Sequence, residues 1–331
     1  SLASMSVDAA SPSSKIVTGP AHWIPHAVSK TVIGEVAYRE GYGPVGEVGA
    51  QWIGGIEAGG TKCVLAVGET PDSIAATHTI PTRNPDETVA EALAWFATQP
   101  SLTALGLATF GPVGLDRDRA DYGHILATPK PGWSGFDLAG ALADGLHVPV
   151  TVDTDVNAAA LAEARADGSV RSLAYMTVGT GIGVGLVIDG RCVHGAAHPE
   201  MGHYYPRRPA HDDAFAGVCP FHGDCLEGLA SGPAILARWG ATLSDLPETS
   251  AAHDRVAHYL AQACHTLFAT TSVEKVVLGG GVLQTPGLCE RIAALATELD
   301  AGYLPGGKRH QIIAPRLGQM SGITGAMILA A

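Results

Sequence analysis

The sequence predicts an α/β protein of two related halves facing a cleft, and three observations carry that reading. Short apolar runs of strand length alternate with segments of helical period, and the alternation occurs twice along the chain. The 42 glycines fall in small groups between those runs, as the tight connections of an α/β fold require. A chain of 331 residues at 46% hydrophobic is ample for a packed core, and its length suggests two domains of roughly 150 residues each.

Residues 1–51 stand apart. Ser1–Ser14 is small and polar, and the stretch from Ile16 to Gln51 mixes proline, glycine and aromatic residues without a sustained period. It reads as an N-terminal extension of unassigned role: an ordered segment, a dimer arm, or the product of a start placed too early. From Trp52 the pattern becomes regular. Trp52–Glu57, the turn Gly59-Gly60-Thr61 and Lys62–Val67 form a β-hairpin. Asn84–Gln99 carries Val89, Leu93 and Phe96 at i, i+4 and i+7, a helix with one buried face. Ala104–Thr109 and Val148–Asp153 are short apolar strands, and Val156–Arg165 is an alanine-rich helix starting just after Asp155. Leu173–Val178 and Val184–Ile188 are strands around Gly179-Thr180-Gly181-Ile182-Gly183, and Lys275–Leu278 runs into Gly279-Gly280-Gly281. The first half is thus expected over residues 52–155 and the second over 156–331, with the last helix free to pack back on the first half.

Composition narrows the function. A net charge of −12 argues against a nucleic-acid footprint, which needs a basic face. No apolar run approaches the roughly 18 residues needed to span a bilayer, and no charged-then-apolar signal layout opens the sequence, so a cytoplasmic enzyme is expected. Six cysteines in a chain this long make no disulfide scaffold; Cys63, Cys192, Cys264 and Cys289 are scattered and read as small buried apolar residues.

The other two cysteines lie in Cys219-Pro-Phe-His222-Gly-Asp-Cys225-Leu-Glu227, which places three metal ligands within seven residues and a carboxylate straight after them. Upstream, Glu200-Met-Gly-His203 sets another carboxylate beside another imidazole. Two thiolates and two imidazoles are a closed set for tetrahedral zinc, although His194, His198 and His211 compete with His203 for the fourth place.

Three glycine turns each leave a strand: Gly59-Gly60-Thr61-Lys62, Gly179-Thr180-Gly181 and Gly279-Gly280-Gly281. Glycine lets backbone N–H groups approach a phosphate, and a threonine hydroxyl adds a donor. Each is also compatible with a plain turn. A Walker loop is excluded, because no G-x-x-x-x-G-K-[ST] is present. A dinucleotide fingerprint fits poorly, since Gly179–Gly185 leads into a strand where a Rossmann turn opens a helix.

Taken together, these segments carry a resemblance. Gly55-Ile-Glu57-Ala-Gly59-Gly60-Thr61-Lys62 resembles the first phosphate loop of the ROK sugar kinases, which have an actin-like ATPase (ribonuclease-H-like) fold. Val178 to Gly185, then Gly195 through Glu200-Met-Gly-His203, is similar to the long ROK signature. Thr128-Pro-Lys-Pro-Gly-Trp133, Asp153-Thr-Asp-Val-Asn157 to Glu163, and Cys219 to Pro233 resemble the fructokinase branch. The likeness spans about Trp52 to Ala331.

The resemblance implies roles. Asp155, which by position alone is an ordinary helix N-cap, becomes the base that takes the proton of the attacking sugar hydroxyl. Glu57, where most of the family has aspartate, faces magnesium. Thr61 and Thr180 hydroxyls and Gly59, Gly60, Gly181 and Gly279–Gly281 meet the nucleotide; Lys62 either neutralises phosphate or is the solvent-facing first residue of a strand. Glu200, His203 and Glu227 match sugar-binding positions, and Thr154 stands where glucose-type members have asparagine. Asn157 orients Asp155, contacts sugar or belongs to the helix surface. His203 becomes the fourth ligand of a structural zinc with Cys219, His222 and Cys225. The implied activity is ATP- and Mg2+-dependent phosphorylation of D-fructose on its 6-hydroxyl. The runner-up is a mannokinase or broad hexose kinase, and a sugar-responsive ROK repressor or a zinc-stapled sugar-binding protein without catalysis are the alternatives of other classes. A homodimer is expected from the family.

Overall fold

The computed structural model describes residues 51–210, 212 and 214–331. The expected extension, apart from Gln51, and the competing ligand His211 lie outside the described residues.

The first half opens with the expected hairpin, β1 (Trp52–Ala58) and β2 (Lys62–Thr70), and continues antiparallel into β3 (Ser73–Pro81). Helix α1 (Pro85–Phe96) follows, capped by Asn84, whose side chain accepts from the Glu87 N–H, with proline at its first position. Val89 and Phe96 are buried as the periodicity requires, and Leu93 packs half-buried against the same core. Strand β4 (Leu102–Thr109) returns parallel to β1; after α2 (Leu138–Leu146), β5 (Val150–Thr154) pairs parallel with β4. The sheet order is β3-β2-β1-β4-β5.

After α3 (Asp155–Asp167) the second half repeats this plan. Strands β6 (Leu173–Val178), β7 (Ile182–Ile188) and β8 (Arg191–Cys192) form an antiparallel meander. The excursion that follows carries α4 (Leu226–Ala230), α5 (Gly232–Trp239) and the long, largely buried α6 (Ala251–Thr271). Then β9 (Lys275–Gly279) pairs parallel with β6 and, past α7 (Leu288–Asp300), β10 (Gln311–Ile313) pairs parallel with β9. The order β10-β9-β6-β7-β8 mirrors the first sheet strand for strand. This repetition was legible as a twofold alternation of patterns; β3, α2, α6 and α7 carried no expectation of their own, and the last helix, α8 (Ser321–Leu329), was expected only as a helix free to pack back on the first half.

The helices that follow the last strand of each sheet cross over. Helix α3 leaves the first sheet and packs on β6 and β7, whereas α8 leaves the second and packs on β1 and β4. The two helices lie against each other, and contact is close enough that a Cβ at Gly325 would meet the Ala158 carbonyl at 2.0 Å. Only glycine permits that approach. Among the described residues no helix is long and apolar enough to cross a membrane.

Candidate active site

The carboxyl ends of β1, β4 and β5 lie side by side, which brings the glycine turn, Phe110 and the start of α3 to one edge. Strands in open α/β sheets present ligands at that edge. A cleft of about 570 Å3 opens there, lined by Glu57, Lys62, Asp155, Thr177, Gly279, Gly280, Gly281, Pro315, Gly318 and Gly322 among others. Lys62, which closes the first glycine turn, and the whole of the third turn therefore share one cavity with the expected base.

Asp155 is the first residue of α3; the cap itself is Thr154, whose hydroxyl accepts from the Asn157 N–H at 3.1 Å. That differs from the simple expectation of Asp155 as N-cap, and the difference has a consequence. Because Thr154 caps the helix, the Asp155 carboxylate keeps one oxygen on the Val156 N–H at 2.9 Å and has capacity left for the cleft. Burial raises its pKa to about 7, assisted by the negative charges of Glu57 and then Glu200. A carboxylate titrating near neutrality suits general base work.

Burial also raises the pKa of Glu57, against the opposing influence of Lys62 and of the Ile323 N–H that its carboxylate accepts. That N–H belongs to the first turn of α8, so a helix N-terminus helps hold the charge. The approach depends on Gly322, where a Cβ would fall 2.3 Å from the Glu57 carboxyl carbon. Lys62, left open between phosphate and solvent in the sequence, is exposed and lines the cleft beside Glu57.

The expected sugar-side residues separate into groups. Glu200 acts electrostatically on Asp155, and its Oε1 lies 3.5 Å from His198 Nδ1. Glu227, on α4, instead spends one oxygen accepting from the Ile182 N–H at 3.0 Å, under the Gly179–Gly181 turn. Thr180 in that turn is exposed, and Thr177, four residues before Gly181, lines the cleft. Asn157 is 1% exposed and fully engaged: its Nδ2 donates to Asp153 Oδ1 at 2.8 Å and its Oδ1 accepts from the Leu186 N–H at 3.1 Å. Asn157 and the buried Thr154 are not among the residues lining the cleft, and their bonds to each other and to Asp153 tie them into the scaffold beneath Asp155. His194 completes that scaffold with its Nε2 3.0 Å from Asp153 Oδ2, which raises its pKa.

The cysteine–histidine stretch folds as one cluster. The ligand atoms of His203, Cys219, His222 and Cys225 all lie within 4.8 Å of one another. Cys219 Sγ is 3.7 Å from both His203 Nδ1 and His222 Nδ1, and Cys225 Sγ is 3.6 Å from His203 Nδ1. Tetrahedral zinc with bonds of about 2.3 Å to sulfur and 2.0 Å to nitrogen would separate S and N by about 3.5 Å, so the quartet has the right size. Burial pushes the Cys225 thiol up to about 11, with Cys219 beside it adding to the rise. A dication at the centre would reverse that and hold both sulfurs as thiolates. His194 is tied to Asp153, and His198 is tied to Val113; neither joins the quartet.

Three contributors to the cleft were missed in the sequence, where Glu163 and Gly322 had no role and His198 was weighed only as a competing metal ligand. His198 is 9% exposed, accepts from the Val113 N–H at Nε2 (3.2 Å), and so carries its proton on Nδ1 toward Glu200 and the Pro199 carbonyl. Glu163 on α3 is 1% exposed and accepts from Arg316 N, Leu317 N and Ser321 Oγ at 2.9, 3.0 and 2.6 Å, fixing the cleft wall that leads into α8. Gly322 gave a signal only as one of two glycines spaced three apart in Ser321-Gly-Ile-Thr-Gly325.

The model of a family described as the ROK family matches residues 53–331. The chain belongs to the ROK family. A Bacillus subtilis (strain 168) protein provisionally named fructokinase is 43% identical over 286 residues, covering 84% of this chain and 95% of that protein. A fructokinase of Zymomonas mobilis is 41% identical over 287 residues, with the same two coverages of 84% and 95%. A crystal structure of a ROK hexokinase from Thermus thermophilus is 27% identical and superimposes with a TM-score of 0.67, covering 85% of this chain and 98% of that one. The two mirrored sheets and their crossed helices are thus the actin-like ATPase fold of ROK proteins.

Proposed function

We propose that this chain phosphorylates D-fructose on its 6-hydroxyl at the expense of ATP. The observation that carries the reading is the cleft-lining Asp155 carboxylate, with a pKa of about 7, sharing the cleft with Glu57, Lys62 and Gly279–Gly281 and feeling the charge of Glu200. Relatives named fructokinase at 37–41% identity support the choice of sugar.

Asp155 accepts the proton as the sugar oxygen attacks the terminal phosphorus, and the bond from that phosphorus to the bridging oxygen breaks to release ADP. Phosphoryl transfer needs little else from a protein beyond positioning and charge. Magnesium supplies neutralisation of the nucleotide phosphates, and Glu57 is the residue to hold it, directly or through water. Backbone N–H groups of Gly60 and Thr61 and of Gly279–Gly281 are the phosphate and adenosine-side contacts, the Gly59 N–H being spent on the Lys62 carbonyl at 2.9 Å. Glu200 accepts from sugar hydroxyls, and His198 holds it in place.

The quartet of His203, Cys219, His222 and Cys225 fits a structural zinc. All four positions come from protein, so the metal would brace the loop and leave activation of the nucleophile to Asp155. Through the metal, Glu200 (three residues from His203) and Glu227 (two from Cys225) would be held together.

The test is a coupled ADP-release assay across fructose, glucose, mannose and N-acetylated hexosamines, with fructose giving the highest kcat/KM. Equal turnover of mannose or glucose would establish the broad hexose kinase instead, a reading favoured by the likeness to a ROK hexokinase. Sugar binding without turnover of any hexose would leave a non-catalytic sugar-binding protein. Salt-sensitive binding to promoter DNA in a gel shift, without turnover, would favour the repressor. We place the enzyme in the cytoplasm and expect a homodimer, which solution mass measurement would check.

A further inference from the structure

The segment Thr128-Pro-Lys130-Pro-Gly-Trp133 carries a residue for which the reading above has no role. Lys130 reaches back across 70 residues to donate from Nζ to the Gly60 carbonyl, inside the first glycine turn. The same ammonium sits over the Phe110 ring, 5.7 Å from its centroid, where β4 ends. Gly60 and Phe110 both follow strands whose carboxyl ends adjoin the one from which Asp155 starts α3, so Lys130 stands at the cleft-side end of this sheet.

The loop that presents it is braced. Trp133 is fully buried and donates from Nε1 to the Arg83 carbonyl at 2.9 Å. Ser134 Oγ accepts from the Thr128 N–H at 3.0 Å and donates to the Thr128 carbonyl at 2.9 Å. The Trp133 N–H returns to the Lys130 carbonyl at 3.2 Å. Prolines on both sides of Lys130 restrict the backbone further. A flexible side chain is thereby delivered from a stiff base, which lowers the entropy lost on gripping a ligand.

Charge decides what it grips. The cleft gathers Glu57 and Asp155, Glu200 adds its charge to that of Asp155, and Lys62 stands beside Glu57 and is partly spent on it. Among the described residues Lys130 forms no ion pair with a carboxylate; its contacts are a carbonyl and an aromatic face, which leave an ammonium its net charge. We propose that Lys130 binds the transferred phosphoryl group, as the terminal phosphate of the triphosphate before the reaction and as the phosphate ester of the sugar after it. Lys130 keeps its proton throughout; the sugar hydroxyl proton goes to Asp155, and the bond pair of the broken P–O bond leaves with ADP.

The inference rests on the kinase reading, and the experiment separates the two. Calorimetric titration of the full chain with a magnesium-bound non-hydrolysable ATP analogue and with Mg-ADP needs no turnover. Lys130→Gln keeps a donor for the Gly60 carbonyl and removes the charge; Lys130→Arg keeps both. Lys130→Gln is expected to lose about 10- to 100-fold in affinity for the triphosphate. Its affinity for Mg-ADP should change less than threefold. In turnover, its inhibition constant for fructose 6-phosphate should rise by a similar factor at unchanged melting temperature, and Lys130→Arg should recover most of both losses. Lys130→Gln indistinguishable from wild type would reduce Lys130 to a clamp on the turn and overturn the proposal. So would equal losses for triphosphate and diphosphate. Wild-type protein that binds nucleotide but turns over no hexose would sink the kinase reading alone, whereas wild type that binds no nucleotide would sink both.

Discussion

Asp155 illustrates how one residue acquires a task from its surroundings. Its pKa of about 7 lies above the ordinary 3.8, so between those values the folded chain holds a proton that the unfolded chain has released. Stability of the free protein therefore falls as pH rises from about 4 through about 7. Asp155→Asn removes that cost, and melting curves in magnesium-free buffer should show the variant more stable than wild type at pH 8, with the gap closing toward pH 4. The same substitution should cut kcat by about 10^2- to 10^4-fold while leaving fructose affinity near wild type. Comparable turnover in the variant would remove Asp155 from the mechanism. In wild type, kcat/KM should climb about tenfold per pH unit below neutrality and level off above about 7. The residue types were readable in the sequence, but the pKa was not. It arises first from burial, and then from Glu57 and Glu200, one 98 residues before Asp155 and the other 45 after it.

At the scale of elements, strands and turns were the most legible because each is set by local pattern. The β1–β2 hairpin, β6 and the helix over Val89 and Phe96 follow from alternation, glycine placement and period. Helix α8 was opaque, since its residues are apolar or small all round and signal no face. Yet α8 supplies the first-turn N–H that steadies Glu57, and Gly322 makes room for the carboxylate. Gly322→Ala is expected to fold and to lose at least tenfold in Mg-ATP affinity by calorimetry; unchanged affinity would mean the Glu57 carboxylate moves aside freely. The metal loop is the opposite case: its core is legible from Cys-x-x-His-x-x-Cys alone, and His203, named as fourth ligand by the family resemblance, lies with the other three in the folded chain. One zinc per chain is expected by metal analysis of protein purified without chelator, and Cys225→Ser should lose it and melt several degrees lower. Metal-free wild-type protein with an unchanged melting temperature would refute the closed set.

Across the whole molecule, the crossed helices α3 and α8 join two sheets that are built alike. Glu163 is the polar tie in that junction: it satisfies three donors from the segment leading into α8. Glu163→Ala strands those donors, each worth about 1–3 kcal/mol when left unpaired in the interior. Urea unfolding should report a loss of several kcal/mol, and KM for Mg-ATP should rise while KM for fructose changes little, because the loosened wall is on the nucleotide side. Equal rises in both would place Glu163 in a general structural role. Motif spacing along the chain was enough to announce a twofold α/β protein, a Cys-x-x-His-x-x-Cys metal loop and a carboxylate at a helix start, since turns, caps and ligand spacings are short-range properties; the base role of Asp155 and the place of His203 in the loop came from the family resemblance. Which carboxylates face one another, that Thr154 rather than Asp155 caps α3, that Asn157 is walled into the scaffold, and that Lys130 reaches the Gly60 turn all depend on chain segments tens of residues apart, and those distances are set only when two cores close against each other.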